Sequence, residues 1–174
     1  MMRIFNVVIP SNKALTNYDI LQYAQELGIS SLKTVCMLDD LPLKTCKSNK
    51  ECCGIVNLNK TGEKGSHWVA YWVSSSDDVD NDDDNEENND EEHKQRIYFD
   101  SFGQITPIEI QKYLKTRDEF RLNKHVIQRN TDIVQSINSC ICGQLCLFVL
   151  KALSERWSYQ DILNVLRRQV EKET

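Results

Sequence analysis

Gln135-Ser136-Ile137-Asn138-Ser139-Cys140-Ile141-Cys142-Gly143-Gln144-Leu145-Cys146-Leu147-Phe148-Val149-Leu150 begins as a polar loop and passes without a break into an apolar segment. The apolar part is too long for an ordinary buried strand and too short to cross a bilayer. It predicts a buried helix with Cys142 at its start. The first turn of a helix leaves backbone N–H groups unpaired and carries partial positive charge, which stabilises a thiolate. Cys142 is therefore either one more small buried hydrophobe or, with a base beside it, a nucleophile.

The rest of the chain bounds that choice. Its 174 residues suffice for one domain with its own core, and residues 1–174 read as such. No apolar stretch is long enough to span a bilayer, so no membrane partner is expected. The opening Met1-Met2-Arg3-Ile4-Phe5-Asn6-Val7-Val8-Ile9-Pro10 is too short and polar for a secretory signal. The expectation is a protein that is not secreted and is kept in a reducing compartment. Seven cysteines are an odd number without framework spacing, which argues against a disulfide scaffold. Cys140-x-Cys142-x-x-x-Cys146 lacks paired CxxC knuckles, so no metal is expected.

The net charge of −5 conceals two populations. Residues 77–92 hold 11 of the 26 acids and no Lys or Arg, leaving 21 basic against 15 acidic residues elsewhere. A run of one charge cannot bury apolar surface, so residues 77–94 are expected to form a disordered acidic loop inserted between neighbouring strands. The remaining body is basic, with Lys112, Lys115, Arg117, Arg121, Lys124 and Arg129 close in sequence. That set reads as a solvated face or as a surface for DNA.

Thr16-Asn17-Tyr18-Asp19 is a helix start, with Ile20, Leu21, Tyr23, Ala24 and Leu27 as its apolar stripe and Gly28 as its end. Residues 30–49 read as a short helix or turn. Gly54–Leu58 and Ser66–Val73 read as two strands of a hairpin, and Arg96–Asp100 as a third strand. Pro107–Leu114 reads as a helix capped by Thr106, and His125–Gln128 as another strand. Ser158-Tyr159-Gln160-Asp161 opens a last helix that buries Ile162, Leu163, Val165, Leu166 and Val170. The fold class is α+β, a central and mostly antiparallel sheet with the Cys142 helix packed on it.

A cysteine nucleophile needs a base, and the base needs an orienting group. His93 lies in the acidic run and His125 follows a charged segment, whereas His67 lies among aromatic strand residues that can lock its ring. Alternation puts His67, Val69, Tyr71 and Val73 on one face and Ser66, Trp68, Ala70 and Trp72 on the other. With the helix packed on the first face, His67 reaches the thiol. Asp100, at the end of the next strand, is placed to accept the second imidazole N–H. Trp68 is a candidate site-lining residue or an ordinary core aromatic.

Ser66-His67-Trp68-Val69-Ala70-Tyr71, Tyr98-Phe99-Asp100-Ser101-Phe102-Gly103 and Gln135 to Gly143 resemble, in that order, the three signature blocks of the adenovirus-type maturation cysteine protease. Relatives encoded by Polinton/Maverick transposons and by virophages look nearest, since Glu51-Cys52-Cys53-Gly54-Ile55-Val56-Asn57-Leu58 and Asp40-Leu41-Pro42 also have counterparts there. The resemblance covers residues 35 to 155. It implies a cysteine endopeptidase with His67 as general base, Asp100 as its orienter, Cys142 as nucleophile and Gln135 as an oxyanion donor beside the Cys142 N–H. It also implies capsid-protein precursors cleaved at Gly-containing sites as substrates, and a virion and host-cell location. No cofactor is required on this reading, with a viral peptide or nucleic acid as candidate activators. The sequence departs from the pattern in the doubled Cys52-Cys53, in the inserted acidic run, and in Asp100 where adenovirus enzymes carry Glu. The rival readings are a ubiquitin-like-protein deconjugating protease of the same fold, and a catalytically silent capsid or nucleic-acid-binding module.

Overall fold

A computed structural model describes residues 1–42, 51–74 and 95–173, and the acidic run lies outside these. The apolar start folds into a small antiparallel hairpin, β1 (Met2–Ile4) and β2 (Val7–Ile9), with Phe5 in the left-handed region at the turn. Helix α1 (Asn17–Glu26) starts as expected: Thr16 accepts from the Asp19 N–H while the Asp19 carboxylate accepts from the Thr16 N–H. Gly28 ends it with a positive φ.

Strand β3 (Leu32–Met37) runs where a helix or turn was expected; among the described residues of that stretch the single turn Leu38–Asp40 matches the reading, and residues 43–49 lie outside them. Leu32-Lys33-Thr34-Val35-Cys36-Met37 is an edge strand, and its half-buried side chains show no clean alternation for a sequence reading to find. Strands β4 (Cys52–Asn57), β5 (Trp68–Val73) and β6 (Arg96–Phe99) are buried throughout, and β7 (Ile127–Arg129) closes the far edge. The order is β3-β4-β5-β6-β7. The three central strands are antiparallel, as predicted, while both edge strands join in parallel.

Helix α2 (Ile108–Leu114) and the short α3 (Arg117–Arg121) follow β6. Thr106 does not cap α2, because Pro107 itself occupies the cap position and no side chain bonds the first turn. Helix α4 (Cys142–Ser154) buries ten of its thirteen residues, the signature of a helix enclosed on nearly all sides. Helix α5 (Tyr159–Glu173) buries Tyr159, Ile162, Leu163 and Leu166, with Val165 only half-buried.

The Cys142 helix lies on the opposite face of β5 from the one that alternation from His67 predicts. Helix α4 packs with Trp68, Ala70 and Trp72, whereas Val69, Tyr71 and Val73 face a second cluster built on Ile110, Tyr113 and Leu114 of α2. His67 escapes the parity rule because β5 begins one residue later, so the strand's pleat does not direct its side chain. Cys52 is disulfide-bonded, which the odd cysteine count did not anticipate, and its neighbour Cys53 is a free buried thiol.

Candidate active site

The loop after Gln135 delivers Cys142 as the first residue of α4, with Ile141 at the cap and no side chain bonding the exposed N–H groups. The thiol also receives the Trp68 N–H at 3.5 Å. One helical turn on, Cys146 Sγ donates to the Trp68 carbonyl at 3.4 Å. The start of β5 is thus laid against the first turn of α4, which brings the residue before Trp68 to the nucleophile position.

That residue is His67. Its Nε2 lies 2.8 Å from Asp100 Oδ1, and its ring hydrogen-bonds Cys142. With Nε2 held by the carboxylate, Nδ1 is the nitrogen left to face sulfur. Strands β5 and β6 pair Ala70 with Phe99, and continuing that register three residues sets His67 beside Phe102. Their rings meet at a centroid distance of 5.0 Å, which packs the imidazole in place. Asp100 is fully buried and accepts from the Phe102 N–H at 2.8 Å as well as from His67. The structure therefore brings together the three residues singled out by sequence, although His67 arrives by a different route.

A second layer, which the sequence reading missed, holds Asp100. Buried Asn130 closes a ring with its backbone: Nδ2 donates to the Asp100 carbonyl at 2.6 Å and Oδ1 accepts from the Asp100 N–H at 3.1 Å. The Tyr159 hydroxyl, reaching from α5, donates to the Tyr98 carbonyl and to Asn130 Oδ1. Nothing local marks Asn130, because its role depends on the pairing of β7 with β6.

Gln135, seven residues before Cys142, is buried. Ser101 Oγ donates to its Oε1 at 2.7 Å, and its Nε2 donates to the Ser139 carbonyl at 2.8 Å. Turning the amide over would set two carbonyl oxygens against each other, so this orientation is fixed and one N–H stays uncommitted. Trp68, whose backbone N–H meets the sulfur, is buried as well. Its indole N–H donates to the Leu15 carbonyl at 2.8 Å, and together with Leu15, Thr16, Asn57 and Ser66 it lines a cleft of about 490 Å³ whose wall includes Cys142.

The electrostatics match this geometry. Burial alone would lower the His67 pKa, but the hydrogen bonds to Asp100 and Cys142, with the charges of both, raise it to about 9. Burial pushes the Cys142 thiol up, and the hydrogen bond to His67, the Trp68 and Gly143 N–H groups and the imidazolium charge more than offset it, so its pKa is lowered. The opposite shifts describe a thiolate–imidazolium pair. Other thiols move the other way: burial pushes Cys53 to about 12 and, with Asp40 and Asp39, Cys36 to about 11.

In the folded chain the pair carries its proton on His67, and in the unfolded chain Cys142 carries it and His67 is neutral once the pH exceeds 6.5. His67 contributes stability that is lost as pH rises toward 9, and Cys142 contributes stability that is lost as pH falls. Between those limits the proton counts of the two states match, so the pair gives stability almost no pH slope. Catalysis by such a pair instead follows a bell, rising as Cys142 ionises and falling at about 9 as His67 deprotonates. Steady-state kcat/KM against pH, beside urea midpoints in the same buffers, checks both statements. An alkaline limb near 7 would remove the pair.

Among the described residues no group of three or more His, Cys, Asp or Glu side chains converges as a metal site, and no helix is long and apolar enough to cross a membrane.

The fold is α+β, of the adenain and ubiquitin-like-protease type, with a packed helix bearing a cysteine at its N-terminus against a central sheet. No protein-family model and no curated protein matches the sequence. Among solved structures, the crystal structure of the ASFV pS273R protease matches with a TM-score of 0.57 at 16% identity, covering 88% of this chain and 63% of that one. The chain thus spans less than two thirds of that protease's length, and at this identity the likeness is one of fold.

Proposed function

We propose that the chain is a cysteine endopeptidase acting through His67, Asp100 and Cys142. The observation that carries this reading is the continuous line from Asp100 through the His67 ring to a Cys142 sulfur that opens on a cleft. The Cys142 thiolate attacks the scissile carbonyl carbon, and the electron pair moves onto oxygen. The uncommitted Gln135 N–H and the Cys142 N–H donate to that oxyanion, whose charge exists only near the transition state. As the tetrahedral species collapses, His67 Nδ1 gives its proton to the leaving amine and a thioester remains. Water then attacks the thioester, His67 takes its proton, and the acid product leaves as the thiolate re-forms.

The finer reading rests on the motif resemblance. The substrates are capsid-protein precursors cut at Gly-containing sites, in the virion or the host-cell interior, by a single domain. A viral peptide or DNA on the basic surface serves as activator. Side chains and backbone alone carry the chemistry.

The test is a fluorogenic Gly-containing peptide compared with a ubiquitin-like-protein conjugate of the same dye. The peptide is expected to turn over faster, and Gln135→Ala to cut kcat by about 10²–10³ with KM little changed, the cost of one oxyanion donor. Faster release from the ubiquitin-like conjugate would favour deconjugation. Release from neither, with Cys142 unreactive, would leave the silent-module reading.

A further inference from the structure

A second cavity, of about 280 Å³, lies where the end of α2, the end of α3 and strand β7 meet, away from the Cys142 cleft in its lining residues. Its polar lining is Thr106, Gln111, Lys115, Asn123, His125 and Arg129, and no Asp or Glu is among its wall residues. Lys115 is only 6% exposed. Its apolar stem is buried, while Nζ is not among the buried side-chain atoms left without a partner, so the ammonium keeps its contact with solvent at the cavity. Among the described residues no ion pair engages it.

Its neighbours do not supply the missing charge. Glu119 of α3 is committed to Arg96 at 2.9 Å and to the Thr116 N–H at 2.8 Å. Arg129 spends one terminal nitrogen on the backbone carbonyls of Gly103 and Asn130, at 3.5 and 3.3 Å, which fixes the guanidinium without neutralising it. The Gln111 amide bonds the Thr106 carbonyl at 2.8 Å and stiffens the opposite wall. Asn123, in the left-handed region with φ of 52°, turns the chain from α3 toward β7 and sets His125 at the rim.

We propose that this cavity binds the phosphate group of a small anion, with Lys115 and Arg129 as its charged ligands and His125 at its mouth. Two cations, Lys115 and Arg129, lining one cavity with amide, imidazole and hydroxyl groups suit a doubly charged oxyanion better than a single carboxylate. The size selects a small molecule over a polymer, because the cavity sits at the lower edge of the range of about 300–1,000 Å³ for small-ligand pockets. A backbone phosphate on a duplex would meet the exposed Lys112, Arg117 and Lys124 before it reached the buried Lys115. This inference is independent of the protease reading.

Calorimetric titration of the full chain with inorganic pyrophosphate, at constant ionic strength, tests it. One saturable site is expected, weakened about tenfold or more by Lys115→Met and by Arg129→Gln, and within about twofold of wild type in the exposed Lys112→Gln. Lys115→Met keeps a buried apolar stem of similar length and is expected to fold. Pyrophosphate is also expected to raise the melting temperature of the wild type and not of Lys115→Met. The proposal is overturned by the absence of saturable binding, by binding indifferent to Lys115→Met and Arg129→Gln, or by a short DNA duplex that depends on Lys115 where pyrophosphate does not bind.

Discussion

Cys142→Ala is expected to abolish peptide hydrolysis, with a fall in kcat of at least about 10⁴, while the urea midpoint stays close to that of the wild type. The substitution removes one sulfur from a site that is otherwise packed by Leu15, Trp68 and Gly143, so the fold has little to lose. Chemistry loses its only attacking atom. His67→Ala is expected to be nearly as severe by another route. Without the imidazolium, burial governs the Cys142 thiol and returns it to the protonated form at neutral pH. Because the two residues act as a unit, the double variant should be scarcely slower than either single one. Hydrolysis by Cys142→Ala at a tenth of the wild-type rate would remove the nucleophile assignment.

Asp100→Asn should cost about 10³–10⁴ in kcat, with a much smaller effect on stability. The carboxylate accepts from both the Phe102 N–H and His67 Nε2 through Oδ1. An amide that keeps its oxygen at that position still accepts from both, but as a neutral group that holds the imidazolium far less well, and it turns its NH₂ toward the Tyr98 hydroxyl. An amide turned the other way opposes its NH₂ to the Phe102 N–H and to Nε2, which forces the imidazole proton onto Nδ1. Losing the buried negative charge also removes the main support for the raised His67 pKa, so the alkaline limb should move down from about 9. A pH profile with an unmoved alkaline limb would show that Asp100 is not the partner that matters.

These residues were legible in the sequence for different reasons. Cys142 announced itself through a change of pattern, from polar loop to apolar helix, which local physics reads directly. Asp100 followed from its place at a strand end. His67 was singled out by an alternation that does not reach it: the period of two applies inside a strand, and β5 starts at Trp68. What fixes His67 is the pairing of Trp68 with both Cys142 and Cys146, a contact across 74 residues that no local pattern encodes. Asn130 and Tyr159 were invisible for the same reason. Each acts on Asp100 through a parallel strand pair or a distant helix, and such pairings are set by the whole fold. Strand β3 was missed because an edge strand with half-buried side chains carries neither a continuous apolar run nor strict alternation.

Gln135 gained most from the structure. The loop sequence shows an amide, and only the Ser101 hydroxyl and Ser139 carbonyl show which way it faces.

The central claim is that Cys142 and His67 form an ion pair on this scaffold. Alkylation of the native chain by substoichiometric iodoacetamide near neutral pH, followed by peptide mapping, tests it most directly. The account predicts that Cys142 is modified well before Cys36, Cys53 and Cys146, and that His67→Ala erases this lead. Labelling of Cys142 no faster than of Cys36, or a lead that survives His67→Ala, would contradict it.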